Sequence, residues 1–154
     1  MARTSQRPAA ANEVSALQAA LAAEHAAVYG YGVVGAYLSG AALATATSDW
    51  VAHEVARDSL EAMLRSAGQA PVAASVAYRL PHRVHSSAGA MSLAVTLEDR
   101  VATAYLGVVA VTSPKIREFG ARELLATATR AASWRGRTVA FPGFPAGALA
   151  AARG

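Results

Sequence analysis

The sequence predicts an all-α fold, a four-helix bundle in which two antiparallel hairpins are joined by a long crossover. Apolar residues recur at helical spacing through most of the 154 residues, and the alternation typical of strands is scarce. The breaks between the helical stretches are short, long and short in chain order. This order pairs neighbouring helices into hairpins and leaves one long connection between the pairs.

The first hairpin is predicted between Asn12 and residue 66. Asn12 is a good N-cap, and the first helix is expected to continue to Ala44. The segment TATSDW would then form the turn, with Ser48 or Asp49 capping a second helix that ends before Gly68.

A segment with two prolines, GQAPVAASVAYRLPHRVHSSAG, follows and is predicted to be the crossover. The third helix is expected over residues 90–111. Ser113 and Pro114 then supply a cap and a first helical residue for a fourth helix that ends near Arg135.

These elements define a bundle domain of residues 12–137. Residues 1–11 are expected to form a flexible N-terminal tail, and residues 138–154 a C-terminal tail in which Phe141 and Phe144 pack back on the bundle.

Composition excludes several function classes. The chain has no cysteine, which rules out disulfides, iron–sulfur clusters, thiolate zinc sites and a cysteine nucleophile. The leader MARTSQRPAAAN lacks the apolar stretch of a signal peptide, so a cytoplasmic protein is expected. Residues 26–48 carry no charge, but they are too rich in small residues, and too poor in flanking lysine or arginine, to favour a membrane helix.

Charged residues on apolar helix faces predict a buried network. Each hairpin carries a glutamate on its first helix, a tyrosine seven residues later, and an arginine 32 or 33 residues after the glutamate. An unpaired buried carboxylate is costly, and the planar guanidinium of arginine suits pairing with it. Two buried Glu–Arg pairs with tyrosine donors are therefore predicted, formed by Glu24, Arg57, Tyr31, Glu98, Arg130 and Tyr105.

A family resemblance rests on five sequence segments and their order along the chain. These segments are LQAALAAEHAAVYGYGVVG, AHEVARDSLEAML, YRLP, LEDRVATAYLGVV and RAASWRG. Together they resemble a bacterial ferritin-like family of unknown function, over about residues 13–144. The ferritin-like superfamily implies a four-helix bundle, often dimeric, that sometimes holds two iron or manganese ions.

The chain departs from the di-metal pattern that this resemblance implies. That pattern needs a glutamate on each of two helices and Glu-x-x-His on each of the other two. Glu24 and Glu98 fit the single-glutamate positions, but the chain has no Glu-x-x-His. Three residues after Glu54 stands Arg57, and three residues after Glu123 stands an alanine, where the pattern needs histidine. Since arginine stays protonated and cannot bind a metal, the preferred hypothesis is a metal centre replaced by ion pairs.

The preferred function is therefore a structural, interaction or ligand-binding module, with no catalytic residue and no cofactor, and with a homodimer expected. The alternative is a divergent iron or manganese protein with redox activity, in which three acids and one histidine bind the metal. Its candidate ligands are Glu24, His53, Glu98 and Glu123, with His25 in reserve. A core histidine hydrogen-bonded to a neighbour is the simpler explanation of His53, and a surface residue that of His25.

Two further hypotheses about function have fewer residues in their support. The net charge of +4 and the basic run YRLPHRVHS would allow nucleic-acid binding, with Tyr78 stacking on a base, but a solvated loop is the simpler explanation. The many small residues would also allow a ligand cavity between helices, lined by Tyr29, Tyr31, Tyr37 and Trp50. No hydrolase motif or phosphate-binding glycine loop is present.

Overall fold

The computed structural model describes residues 7–145 and confirms a four-helix bundle. The described part of the chain contains four α-helices and no strand. The helices are α1 (Arg7–Ala36), α2 (Gly40–Ser66), α3 (Ser87–Val109) and α4 (Pro114–Arg135). None of the helices between residues 7 and 145 combines the length and hydropathy needed to cross a bilayer.

The two hairpins are α1–α2 and α3–α4, and α1 packs against α3 to join them. The core has two apolar clusters with a layer of buried polar residues where they meet. The larger cluster contains Leu17, Ala20, Leu21, Ala27, Leu60, Leu64, Val101, Tyr105, Val108 and Phe119. The second contains Tyr31, Val34, Ala46, Val84, Ala90, Leu93, Ala94 and Leu97.

The turn of the first hairpin lies earlier than the sequence predicted. α1 begins at Arg7 rather than Asn12 and ends at Ala36 rather than Ala44, and α2 begins at Gly40. Ser39 is extended, and Gly40 adopts a φ of +54°, a conformation that side chains disfavour. The alanine-rich stretch after Gly40 continues as helix, so TATSDW is no turn and Asp49 lies in the middle of α2.

The second hairpin lies close to its predicted bounds. Ser86 caps α3 by accepting a hydrogen bond from the Gly89 amide at 3.1 Å. Ser113 precedes Pro114 as predicted, but its side chain makes no capping bond. Instead Glu13 of α1 accepts a hydrogen bond from the Ser113 amide at 2.9 Å, which ties the start of α4 to α1.

The crossover, residues 67–86, has no helix or strand and is fixed to the side of α1. The Gln18 side chain donates to the Ala70 carbonyl at 2.7 Å and accepts from the Val72 amide at 2.8 Å. His25 Nε2 donates to the Val72 carbonyl at 3.0 Å. His25 is buried by this contact, so its interpretation as a surface residue is wrong.

The C-terminal tail touches α3 through its backbone. Thr103 Oγ1 donates to the Gly143 carbonyl at 2.7 Å, and Gly143 has a φ of +84°. A Cβ at Gly143 would lie 2.9 Å from the Ala102 carbonyl oxygen, so only glycine fits. Phe141 and Phe144, which were expected to pack on the bundle, pack edge to face with each other and stay about half exposed. The N-terminal tail was predicted over residues 1–11, but residues 7–11 belong to α1. Residues 1–6 of that tail, and residues 146–154 of the C-terminal tail predicted over 138–154, lie outside the described residues.

Candidate functional site: a buried Glu–His–Glu network

Three ionisable side chains from three helices meet in the polar layer of the core. Glu24 of α1, His53 of α2 and Glu98 of α3 are each fully buried. Each lies on the apolar stripe of its own helix, so packing of the three stripes brings them together. Burial of charged groups without compensating partners is unfavourable, so the stability of this layer depends on the contacts that the three side chains make.

His53 bridges the two carboxylates. Its Nδ1 lies 2.6 Å from Oε2 of Glu24, and its Nε2 lies 3.0 Å from Oε1 of Glu98. A carboxylate oxygen accepts hydrogen bonds, so this geometry requires a proton on both ring nitrogens. His53 is therefore an imidazolium held between two glutamates.

The electrostatics agree with this assignment. Burial by itself lowers the pKa of His53, but the hydrogen bonds and negative charges of Glu24 and Glu98 outweigh it and raise the pKa to about 9. Burial likewise acts to raise the pKa of Glu98, whereas His53 and Arg130 together hold it below its usual range. His53 is thus positively charged, and Glu98 negatively charged, at neutral pH.

The two tyrosines cross between the hairpins. Tyr105 of α3 donates to Oε1 of Glu24 at 2.7 Å, and Tyr31 of α1 donates to Oε1 of Glu98 at 2.5 Å. Each tyrosine therefore serves the glutamate of the other hairpin rather than its own. Burial, together with the carboxylate that each one contacts, raises the pKa of both hydroxyls, so they remain donors.

Arg130 of α4 completes the coordination of Glu98. Its Nε lies 3.1 Å from both oxygens of that carboxylate, and its Nη2 donates to Thr127 at 3.1 Å. The pairing of Glu98 with Arg130 that the sequence predicted is present. Burial acts to lower the pKa of Arg130, but the charge and hydrogen bond of Glu98, with smaller contributions from Asp49 and Tyr31, together raise it more, so the guanidinium stays charged.

Asp49 and Trp134 extend the network, and the sequence reasoning missed both roles. Trp134 Nε1 donates to Oδ2 of Asp49 at 2.8 Å and lies 3.1 Å from the Tyr31 hydroxyl. Burial raises the pKa of Asp49, although the Trp134 hydrogen bond opposes the shift. The role of Asp49 could have been found from its spacing of four residues to His53, because this spacing places both residues on one face of a helix.

The predicted pair between Glu24 and Arg57 does not form. Arg57 donates instead to its neighbour Asp58 at 2.9 Å and lies 3.7 Å from Glu54, on the partly exposed side of α2. Both oxygens of Glu24 are already used by Tyr105 and His53. Arg57 is therefore a surface residue, and His53 takes the role that the sequence gave to Arg57.

The residues of this network do not fit a metal centre as they stand. Both His53 nitrogens are engaged by glutamate oxygens, and the guanidinium of Arg130 lies beside Glu98 as a second positive group. Glu123, the fourth ligand of the alternative, is partly exposed and lies 3.5 Å from Arg122. Within residues 7–145 no group of three or more acidic or histidine side chains is arranged to hold a metal.

The basic residues of the crossover differ in exposure. Arg79, Arg83 and His85 are exposed, whereas His82 donates to the Gly89 carbonyl at 3.2 Å. Tyr78, which a nucleic-acid site would need for stacking, packs against Tyr29 with ring centroids 5.4 Å apart.

Comparison with known proteins places the chain in a family. No functionally curated protein matches it. A crystal structure of a conserved hypothetical protein, rv2844, from Mycobacterium tuberculosis is similar, with a TM-score of 0.80 and 34% sequence identity over 82% of this chain and 96% of that one. Residues 16–146 match the model of a domain of unknown function, DUF4439. Since that match covers most of the sequence, the chain belongs to the DUF4439 family.

Proposed function

We propose that this protein is a metal-free, ferritin-like bundle that acts as a structural or interaction module and not as a redox enzyme. The observation that supports this most directly is the position of His53, whose two ring nitrogens each contact a different buried glutamate. The imidazolium lies between Glu24 and Glu98, the two carboxylates that would have to hold a metal.

Charge balance supports the same proposal. In a ferritin-like metal site the cation offsets the charge of the glutamates. Here His53 and Arg130 supply two positive charges against the two negative charges of Glu24 and Glu98. A divalent cation would have to displace the His53 proton and to approach the positive charge of Arg130. Both requirements oppose metal binding.

The competing function, a divergent iron or manganese protein, has one observation in its favour. Glu24, His53 and Glu98 lie in direct contact at full burial, which is where such a centre would need them. Metal content tests the two against each other. Untagged protein is loaded with iron or manganese, desalted and measured by elemental mass spectrometry, and its thermal unfolding is followed with and without a chelator.

The proposal expects sub-stoichiometric metal and a Tm that does not respond to the chelator. About two ions per chain, or a Tm that falls on chelation, would establish the alternative. An Arg130→Met variant sharpens the comparison, because removal of this cation favours metal uptake only if Glu98 can serve as a ligand.

A homodimer is part of the proposal. The outer face of α2, opposite His53, exposes Val51 and Val55, the latter 61% exposed. Sedimentation equilibrium of the wild type and of Val55→Glu tests this surface, with Val76→Glu in the crossover as a matched control on a fully exposed valine. A dimer that Val55→Glu alone dissociates is expected. A monomeric wild type, or equal effects of both variants, would refute it.

A further inference from the structure

A pocket of about 180 Å³ lies between α1 and α2, next to the polar layer. Its wall is formed by Tyr31, Gly32, Gly35, Ala46, Thr47 and Trp50. Tyr31 is almost fully buried and presents little surface to the pocket, whereas Trp50 lies at the edge with 37% of its surface exposed. Gly32, Thr47 and Trp50 are exposed, so the pocket opens to solvent, and its volume is large enough for one aromatic ring.

The polar groups in the wall already have partners inside the protein. Trp50 Nε1 donates to the Val28 carbonyl at 3.1 Å, and Thr47 Oγ1 donates to the Leu43 carbonyl at 2.9 Å. The Tyr31 hydroxyl donates to Glu98. The pocket surface is therefore mostly apolar, and none of its lining side chains is charged, so the desolvation of a charged ligand would not be compensated.

Two glycines create the space although helix packing does not require them. A Cβ at Gly32 would have no heavy atom within 4 Å, and one at Gly35 would make an ordinary contact with Leu43 at 3.6 Å. Gly30 differs, because a Cβ there would lie 2.6 Å from Leu97. Glycine inside a helix costs about 0.5–1 kcal/mol relative to alanine, so Gly32 and Gly35 keep the pocket open at the expense of helix stability.

We propose that this pocket binds a small, neutral, planar aromatic molecule against the ring of Trp50. Aromatic rings gain from offset or edge-to-face contact beyond simple burial, and a single ring suits the volume. The proposal goes beyond the metal-free function and does not depend on it, because none of the buried carboxylates lines the pocket.

Nuclear magnetic resonance of the ¹⁵N-labelled protein, with toluene as probe, tests the proposal. The protein has two tryptophans, so the indole N–H signals of Trp50 and Trp134 can be followed separately. Toluene is expected to shift the Trp50 signal saturably and more strongly than that of Trp134. Benzoate, which has a similar size but a negative charge, is expected to shift neither.

The matched variants are Gly32→Val, which fills the pocket, and Gly107→Val, which adds the same side chain at an open position of α3. Gly32→Val is expected to weaken toluene binding at least tenfold and Gly107→Val to leave it unchanged. Gly35→Val, one turn further along the same wall, repeats the test if Gly32→Val does not fold. No saturable shift in the wild type, or equal affinity in a folded pocket variant, would overturn the proposal.

Discussion

His53 is the residue on which the polar layer depends. Each oxygen of Glu24 and Glu98 receives at least one hydrogen bond, and His53 supplies one to each carboxylate. Among the described residues that are not exposed, the one buried side-chain polar atom without a partner is Nη1 of Arg135, outside this network. Buried ion pairs are tolerated only when their hydrogen bonding is this complete.

The charge of His53 predicts how stability depends on pH. Its pKa is raised from 6.5 to about 9 in the folded state, so its stabilisation is fully present below pH 6.5 and is lost as the pH rises through 9. The free energy of unfolding should therefore fall by about 3 kcal/mol across this window. Urea unfolding at a series of pH values measures the slope.

The control is His53→Gln, which keeps a hydrogen-bonding side chain but cannot titrate. This variant is expected to be less stable at pH 6 and to lack the additional loss between pH 6.5 and 9. If it does not fold, ¹⁵N resonances of the wild-type imidazole give the same information. An imidazole that is neutral at pH 7.5, or a wild-type slope that His53→Gln retains, would contradict the assignment.

Two arginines at equivalent sequence positions are expected to differ in their importance. Arg130→Met leaves the buried Glu98 without its cation and should lower the free energy of unfolding by about 3–5 kcal/mol. Arg57→Met removes only partly exposed contacts and should cost less than about 1 kcal/mol. Chemical denaturation of both variants decides the point, and equal losses would mean that Arg57 reaches the polar layer in solution.

At the scale of helices, the sequence predicts which face a residue lies on but not which neighbour it meets. Helical spacing correctly placed Glu24 and Glu98 on buried faces, because apolar periodicity reports burial directly. The crossing of Tyr31 and Tyr105 to the opposite glutamates depends on how α1 packs against α3. No spacing within one hairpin contains that information.

The turn of the first hairpin was predicted too late in the sequence for a related reason. The four glycines of α1 and α2 have the same low helix propensity, yet among them only Gly40 adopts a positive φ. TATSDW has strong capping residues, but the helix continues through it because Ala46 and Asp49 are buried against the rest of the bundle. Tertiary packing overrides local capping preference here.

Contact between α3 and α4 gives a prediction at this scale. A Cβ at Gly120 would lie 2.7 Å from Cγ1 and 3.2 Å from the backbone carbon of Val108, so Gly120→Ala must push the helices apart. We expect it to destabilise the protein by about 1–3 kcal/mol. Gly107→Ala, in open space one residue from Val108, should stabilise it by about 0.5–1 kcal/mol.

Thermal unfolding of the two variants gives the comparison. Both substitutions replace a helical glycine by alanine, although Gly107 lies in the last turn of α3 and Gly120 inside α4. A Tm difference that exceeds the propensity effect of about 1 kcal/mol therefore reports the helix contact. A Gly120→Ala variant as stable as Gly107→Ala would show that α3 and α4 are further apart than the structure describes.

For the molecule as a whole, the crossover must link the two hairpins without a helix or strand of its own. Its backbone groups therefore need partners from the bundle, and Gln18 provides a donor and an acceptor in the manner of a neighbouring backbone. His25 adds a third contact at Val72. These residues explain why a histidine follows Glu24: it holds the crossover, while Glu24 faces the core.

Removal of the Gln18 side chain should release the crossover without unfolding the bundle. The Val72 amide is bonded to Gln18, so Gln18→Ala should speed its hydrogen exchange about tenfold, as the loss of one hydrogen bond of about 1–1.5 kcal/mol implies. Gln69→Ala, on the exposed crossover itself, is the matched control and should leave Val72 unchanged. Faster exchange in the middle of α1 as well would indicate global destabilisation, and unchanged exchange at Val72 would show that Gln18 does not hold the crossover.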